Sequence, residues 1–207
     1  MKALGYSILP LLFILILFIS SCSKKGKYNQ EDDQGRKQGV WRYYYETGEL
    51  EKEIHYKDDM KYGKEIRYFP SGAVNLEMEY TGDTLGTYLT GSYKHYYENG
   101  QLVEEWNYKD GVPDGKFSLY YQNGQKQQEG QIYNGLKSGI WRYYDEQGNL
   151  VKEVDFKDFE QDWTEDYLAG TIKYYSPDGK AYYQETYASG IKMDSIILDQ
   201  ALYDSLR

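Results

Sequence analysis

The sequence predicts an all-β protein, an elongated array of about six stacked antiparallel β-hairpins followed by a short C-terminal helix. Three observations lead to this fold class. A pattern of about 24 residues occurs six times between residues 39 and 190. Each copy holds a glycine-containing turn between two short runs in which apolar and polar residues alternate. Tyrosine, which favours strands, occurs 26 times in 207 residues.

The turn is clearest in residues 91–111, where Glu98-Asn99-Gly100 fits a three-residue hairpin loop. Such a loop is a type I turn that ends in a residue with left-handed backbone, where glycine is favoured. Proline occurs only at the first central position of these loops, where its φ suits the turn. The other loops are Glu46-Thr47-Gly48, Pro70-Ser71-Gly72, Gln122-Asn123-Gly124, Glu146-Gln147-Gly148 and Pro177-Asp178-Gly179.

Two columns of residues define the repeat. The first residue of each unit is a glycine: Gly39, Gly63, Gly91, Gly115, Gly139 and Gly170. The sixth residue is a tyrosine: Tyr44, Tyr68, Tyr96, Tyr120, Tyr144 and Tyr175. The third residue is mostly aromatic, the twelfth mostly apolar and the fifteenth mostly glutamate. A period in this range is typical of stacked supersecondary units.

The loop length also predicts which columns share a face of the sheet. With a three-residue loop the sixth residue faces the twelfth, and the third faces the fifteenth. Since side chains alternate between faces, we expect the sixth, twelfth, sixteenth and eighteenth columns on a buried face. The third-column aromatic rings would then lie against the glutamates on the opposite face. Twelve strands about 4.8 Å apart predict a sheet roughly 55 Å long.

The ends of the chain differ from the array. A run of nine apolar residues at 11–19 follows Lys2, which is typical of a secretory signal and short for a membrane span. Residues 22–38 have no hydrophobic period, so we expect a flexible tether. Near the other end, Asp194-Ser195 and leucines spaced by four predict a capping helix within 191–207, over 194–206.

Ile19-Ser20-Ser21-Cys22 resembles the cleavage box of bacterial lipoproteins. The resemblance implies that residues 1–21 are removed and that Cys22 is acylated, which would anchor the protein in the bacterial envelope. Ser23 after the cysteine resembles lipoproteins sorted to the outer membrane, facing the periplasm or the surface. A secreted protein with a free thiol and an uncleaved anchor are the alternatives. Cys22 is the only cysteine, so no disulfide stabilises the fold.

The repeat pattern, G-x-aromatic-x-x-Y-x-x-x-G-x-L-x-x-E-x-x-Y, resembles the MORN-repeat variant found in bacterial proteins labelled YwqK-family antitoxins. The resemblance covers residues 39–190. It implies a platform for interactions, in some proteins linked to membranes, and the antitoxin label implies neutralisation of a partner protein. An export signal does not fit a cytoplasmic antitoxin and indicates a partner in the envelope.

The sequence contains no convincing catalytic constellation, and we expect a protein that is not an enzyme and needs no cofactor or resident metal. It has no phosphate-binding loop, nucleophile elbow or H-E-x-x-H motif. Its two histidines, His55 and His95, lie at non-equivalent repeat positions. The net charge of −9 disfavours nucleic acid and anionic lipid as partners. The fourth column can form a basic stripe or a solvated row paired with acids: Arg42, Lys94, Arg142 and Lys173.

Two insertions, at 81–90 and 157–169, interrupt the period, and insertions in repeat arrays often lie on the binding face. The second combines carboxylates with aromatic residues, as protein interfaces do. We therefore take it as a candidate partner-binding loop, with a solvated loop or a calcium site as alternatives. The candidate contact residues are Phe159, Asp162, Trp163, Glu165 and Tyr167.

Our leading hypothesis is a non-catalytic lipoprotein whose repeats bind another protein in the envelope. A narrower version is an immunity protein or antitoxin that neutralises a toxin. The alternative from another class is glycan binding, since exposed Tyr and Trp rows stack on sugar rings. This alternative requires that Trp41, Tyr93, Phe117 and Trp141 be exposed. The sequence leaves the oligomeric state open.

Overall fold

The computed structural model describes residues 27–83, 86–156, 170–188 and 190–206, and it confirms the predicted fold class. Within these residues the chain forms an open antiparallel sheet of 15 strands, followed by one short helix. The strands lie in the sheet in chain order, except that the two-residue β8 pairs with β7 beside the main path. Each hairpin therefore packs only against its neighbours in sequence.

The twelve strands of the six repeats are long, and three further strands flank or join them. The first eight strands are β1 (Gln30–Glu31), β2 (Lys37–Tyr44), β3 (Leu50–Lys57), β4 (Met60–Tyr68), β5 (Val74–Asp83), β6 (Gly86–Tyr96), β7 (Leu102–Lys109) and β8 (Val112–Pro113). The remaining elements are β9 (Gly115–Tyr120), β10 (Lys126–Tyr133), β11 (Leu136–Tyr144), β12 (Leu150–Phe156), β13 (Gly170–Tyr175), β14 (Ala181–Ala188), β15 (Ile191–Ile197) and α1 (Gln200–Ser205).

The hairpin loops have the predicted geometry. In the third repeat the Gly100 amide donates to the Tyr97 carbonyl at 2.9 Å, and the Tyr97 amide donates to the Gln101 carbonyl at 2.8 Å. Gly100 has a φ of 85°, which a residue with a Cβ adopts only under strain. The corresponding glycines of the other five loops have φ between 79° and 102°.

The predicted assignment of columns to faces is wrong, because every hairpin contains a β-bulge. In the first repeat Tyr44 pairs with Leu50 as predicted, but Tyr43 pairs with Lys52, so Glu51 is an extra residue. A bulge of this kind shifts the alternation of side chains by one. As a result Trp41, in the third column, faces Ile54, in the sixteenth. The same shift occurs in the other five hairpins.

The sheet therefore has two distinct faces. The third and sixteenth columns share what we call the aromatic face, which holds the core. Here Trp141, Val154 and Phe117 are 1%, 4% and 8% exposed. The fourth, sixth and fifteenth columns share the opposite side, which we call the ladder face. In several repeats the residues at the third and sixteenth positions are both apolar. This match is the sequence signal for a register that pairs these two positions.

Both ends of the array also differ from prediction. The helix is shorter than predicted: its N-cap is Asp199, which accepts a hydrogen bond from the Leu202 amide, while Asp194 and Ser195 lie in β15. Residues 191–197 pair with β14 instead, so only the later part of the predicted segment, Gln200–Ser205, is helical. Part of the predicted tether belongs to the sheet, because β1 (Gln30–Glu31) pairs with residues 37 and 38 of β2.

The first insertion extends the hairpin of β5 and β6 rather than forming a separate loop. Pairing continues from Glu79 and Thr90 to Asp83 and Gly86. No helix in the described part of the chain is long and apolar enough to span a bilayer.

Candidate interaction surface

The residues predicted to bind a partner lie outside the described residues. This holds for Phe159, Asp162, Trp163, Glu165 and Tyr167, and also for Cys22. The structure does place all twelve repeat-defining glycines and tyrosines. The six initial glycines all have positive φ, between 63° and 149°.

Tyrosines of the sixth column link each repeat to the one before it. The Tyr120 hydroxyl donates to Glu105 at 2.9 Å, and the Tyr144 hydroxyl donates to Glu129 at 2.7 Å. Tyr68, Tyr96 and Tyr175 make the same contact to Glu53, Glu77 and Glu153. The glutamates therefore do form a structural ladder, but their partners are the sixth-column tyrosines instead of the third-column rings.

The ladder shifts the pKa values of its members. Burial raises the pKa of Tyr144 to about 12, and the hydrogen bond to Glu129 adds to this effect. Burial and the charge of Glu77 raise the pKa of Tyr96 to about 12 as well. Hydrogen bonds from Lys126 and then from Tyr144 lower the pKa of Glu129. At neutral pH Tyr144 is thus protonated and its partner Glu129 ionised.

The fourth column is partly paired with these acids. Arg42 contacts Glu53 through Nε at 2.6 Å, and Arg142 contacts Glu153 in the same way at 2.9 Å. In the part of the chain that the structure describes, Lys94 and Lys173 make no ion pair. Two repeats lack a cation here, because Ile66 and Ser118 occupy the column.

A groove of about 550 Å³ lies on the ladder face over Ser118. It crosses five strands, β6, β7, β9, β10 and β11, and we call it the central groove. The rings of Trp106 and Phe117 lie on the aromatic face, so their main chain contributes to its floor. Most residues that line it are polar or charged: Ser92, Lys94, Glu105, Asn107, Lys116, Ser118, Tyr120, Lys126, Glu129, Gln131 and Arg142.

The aromatic face is covered by its own side chains. The rings of Tyr93 and Trp106 stack at 4.8 Å, and the row continues through Phe117 to Trp141. Lys137 Nζ lies 4.3 Å from the centroid of the Trp141 ring. Phe117 and Trp141 are buried, and Trp41 and Tyr93 are half-buried. Stacking on sugar rings requires exposed aromatic rings, and Phe117 and Trp141 do not meet that requirement.

One carboxylate interrupts the aromatic row. Glu65, at the third position of the second repeat, is 0% exposed. It accepts hydrogen bonds from Lys61 Nζ and Arg67 Nε, each at 2.8 Å. Burial alone raises its pKa, but these two cations outweigh burial and lower the pKa. The two cations explain why this column tolerates a charge where other repeats carry a ring.

Sequence reasoning missed a second link between repeats. Hydroxyls of the seventh column donate to sixth-column carbonyls of the next repeat: Tyr45 to Tyr68 at 2.6 Å, and Tyr121 to Tyr144 at 2.8 Å. The signal was a tyrosine at the seventh position of three units. Sequence reasoning also missed the lysines two residues before the initial glycines, such as Lys37, whose Nζ lies 4.5 Å from the centroid of the Trp41 ring.

Within the described residues, no group of three or more His, Cys, Asp and Glu side chains is arranged to hold a metal ion. His95 Nδ1 lies 3.7 Å from Glu104, whereas His55 is exposed. The calcium alternative concerned residues 157–169, which lie outside the described part.

Comparison with known proteins bears on the repeats. The family model described as the MORN repeat variant matches four segments, residues 37–58, 89–110, 113–134 and 137–158. Four of the units thus match the MORN repeat variant. Each matched segment begins two residues before an initial glycine, near the start of a hairpin.

The comparison with curated proteins finds no match. A solved structure described as "Crystal Structure of TcdB2-TccC3" is 13% identical, with a TM-score of 0.16, over 78% of this chain. The chain spans 12% of that chain's length. Nothing about fold or function follows from so low a TM-score.

Proposed function

We propose that this chain is a non-catalytic envelope lipoprotein that binds another protein through its MORN-variant repeat sheet. The observation that supports this most is the central groove, an open, charged hollow on a sheet whose other face is closed by its own core. Repeat modules of this kind suit binding, because stacking gives a long surface while each unit contacts only its neighbours. The charge of −9 argues against nucleic acid.

Crosslinking in intact cells tests the binding role. The full chain is crosslinked, purified in detergent and analysed by mass spectrometry. We expect one reproducible protein partner that is absent from a strain expressing an unrelated lipoprotein with the same signal. Failure to recover a partner under several detergents contradicts the proposal.

The candidate loop gives the binding role a second test. Deletion of residues 159–167 should reduce capture of that partner if Phe159, Trp163 and Tyr167 contact it. If a deletion variant with an intact fold captures the partner equally well, the loop is not part of the binding surface.

Anchoring is a separate part of the proposal. A chain acylated at Cys22 should incorporate labelled fatty acid and fractionate with the outer membrane, whereas Cys22→Ser should do neither. Equal labelling of the two chains contradicts lipidation at this residue.

An immunity or antitoxin role is a narrower form of the same proposal, supported by the family resemblance alone. Co-expression with a toxin encoded nearby should restore growth. A lack of protection against every neighbouring gene product contradicts this narrower role and leaves protein binding in place.

The absence of catalysis is also part of the proposal. We expect a hydrolysis screen of the purified chain to detect no turnover that depends on one side chain. Turnover abolished by the change of a single carboxylate contradicts it.

A further inference from the structure

We propose that the central groove binds an acidic, extended segment of a partner protein. This inference rests on the protein-binding role proposed above, and adds the site and the chemistry of the segment. It is carried by the shape of the groove, by the charges that line it and by the distance between its cations.

The shape arises from a departure from the repeat at Ser118. Arginine, isoleucine or lysine occupies the fourth column in the other five units. Ser118 has no side chain long enough to cover the sheet at this point. The hollow therefore lies where the fourth repeat differs from its neighbours, between Lys94 in β6 and Arg142 in β11.

The charges favour a ligand with carboxylates. Four cations line the groove, Lys94, Lys116, Lys126 and Arg142, against two carboxylates. Both carboxylates already have donors on this chain. Glu105 accepts from Tyr120, and Glu129 accepts from Tyr144 and Lys126.

The lysines of the groove differ in whether they are paired. Among the described residues, Lys94 and Lys116 make no ion pair, whereas Lys126 pairs with Glu129. The groove therefore presents donors with no acceptor to satisfy them, and carboxylate is the matching acceptor.

The net charge of the protein does not prevent this. Charges more than about 8 Å away are largely screened at physiological ionic strength. Two further carboxylates lie beside the four cations and two glutamates of the lining: Glu153, which pairs with Arg142, and Glu77, which faces Lys94 across the ladder and accepts a hydrogen bond from Tyr96. All four carboxylates are engaged by donors of this chain, and among the described residues Lys94 and Lys116 have no ion pair, so these two lysines are the charges open to a ligand although the molecule as a whole carries −9.

The spacing of the cations favours a protein segment over a small anion. Lys94 and Arg142 lie on strands four spacings apart, which corresponds to about 19 Å. A phosphate or acetate ion contacts one of them at a time. An extended chain covers that distance with about six residues, so carboxylates of one segment reach both cations.

The test uses a fluorescent peptide of ten residues in which Glu and Ser alternate, and the full chain in non-ionic detergent. Anisotropy at 0.15 M salt should show binding, and the matched peptide with Gln for Glu should bind at least tenfold more weakly. The double variant Lys94→Gln/Arg142→Gln should also bind the Glu peptide at least tenfold more weakly. Arg42→Gln is the matched control, because Arg42 pairs with Glu53 as Arg142 pairs with Glu153 but lies outside the groove.

Ser118→Arg separates a shaped site from general attraction between charges. The substitution adds a cation and restores the side chain that this column carries in other repeats, so the fold should persist, as circular dichroism can verify. We expect at least tenfold weaker binding, because the arginine fills the groove. Equal or tighter binding by Ser118→Arg, equal loss in Arg42→Gln, or no binding by the unsubstituted chain overturns the proposal. Full displacement of the peptide by millimolar phosphate overturns the assignment to a protein segment.

The outcome is distinguishable from failure of the binding role itself. If crosslinking captures a partner equally well with Ser118→Arg, the protein binds but not through this groove. If the peptide binds in the groove and no cellular partner is captured, the groove site stands and the envelope role fails.

Discussion

At the scale of single residues, the sixth-column tyrosine is the part that joins one repeat to the next. Its hydroxyl reaches the glutamate of the preceding unit. Tyr44 is the exception. It belongs to the first repeat, is 55% exposed, and its hydroxyl makes no hydrogen bond within the described residues. This difference within one column supplies a control for the contribution of the ladder.

Tyr144→Phe should destabilise the protein by about 1 kcal/mol more than Tyr44→Phe. A hydrogen bond to a charged group contributes about 1.5–3 kcal/mol, and the partial exposure of Tyr144 reduces that figure. Urea unfolding of the two variants measures the difference. Equal effects would show that the hydroxyl of Tyr144 contributes nothing beyond the ring.

The ladder also predicts how stability depends on pH in the alkaline range. Tyr96, Tyr144 and Tyr175 have pKa values of about 12 in the folded protein, compared with about 10 in an unfolded chain. Between these values the unfolded state has lost protons that the folded state keeps. The stabilisation is therefore complete below pH 10 and is lost as pH rises to 12.

Urea midpoints measured from pH 9 to pH 12 should show this decline. The double variant Tyr144→Phe/Tyr175→Phe should show a shallower decline, since two of the responsible groups are gone. An unchanged slope in the double variant would assign the decline to other groups.

At the scale of elements, the bulge in each hairpin decides what the strands bury. It places the third column opposite the sixteenth, so that large rings and apolar side chains meet on the aromatic face. The fourth repeat shows how tightly these two columns fit. Gly130 is at its sixteenth position, and a Cβ there would overlap the indole of Trp141 in the next hairpin. Trp141 therefore occupies the space of the missing side chain.

Gly130→Ala should destabilise the protein by about 2 kcal/mol, because it overpacks the best-buried part of the core. The backbone of Gly130 does not require left-handed φ, so the destabilisation comes from packing alone. Trp141→Leu removes the overlapping ring. The double variant should lose less free energy of unfolding than the two single variants lose together. Additive losses would contradict direct contact between residues 130 and 141.

At the scale of the whole molecule, burial varies along the array, and stability is expected to vary with it. The buried cluster of Phe117, Trp141 and Val154 lies in the fourth and fifth repeats. At the C-terminal edge, β15 is exposed along its whole length, including Ile191 and Met193. Because each unit contacts only its neighbours, local unfolding is expected to begin at the ends of the array.

Hydrogen exchange should therefore show a gradient. Amides of β9 to β12 are expected to exchange slowest, and those of β1, β2, β14 and β15 fastest. Mass spectrometry of peptides along the chain measures the order. Uniform protection across the six hairpins would indicate all-or-none unfolding and contradict the nearest-neighbour description.

The sequence by itself determined the repeat, its turns and the class of fold. Gly100 and its equivalents are required by the left-handed position of the loop, a local constraint that any copy of the motif reveals. The twelve repeat strands follow from that periodicity. The fifteenth column also indicates a structural role by its regularity, because a function needed once does not require glutamate in five of the six units.

Only the tertiary structure decided which side chains share a face, how the ends of the array terminate and where a groove opens. One bulge residue, such as Glu51, changes the partner of Trp41 from the fifteenth to the sixteenth column, and nothing local to that residue indicates it. Residues 191–197 became a strand because β14 offered an unpaired edge. The central groove exists because Ser118 lacks the long side chain that most of the other repeats place there. All three outcomes depend on neighbouring hairpins, and hence on contacts made only after the units have stacked.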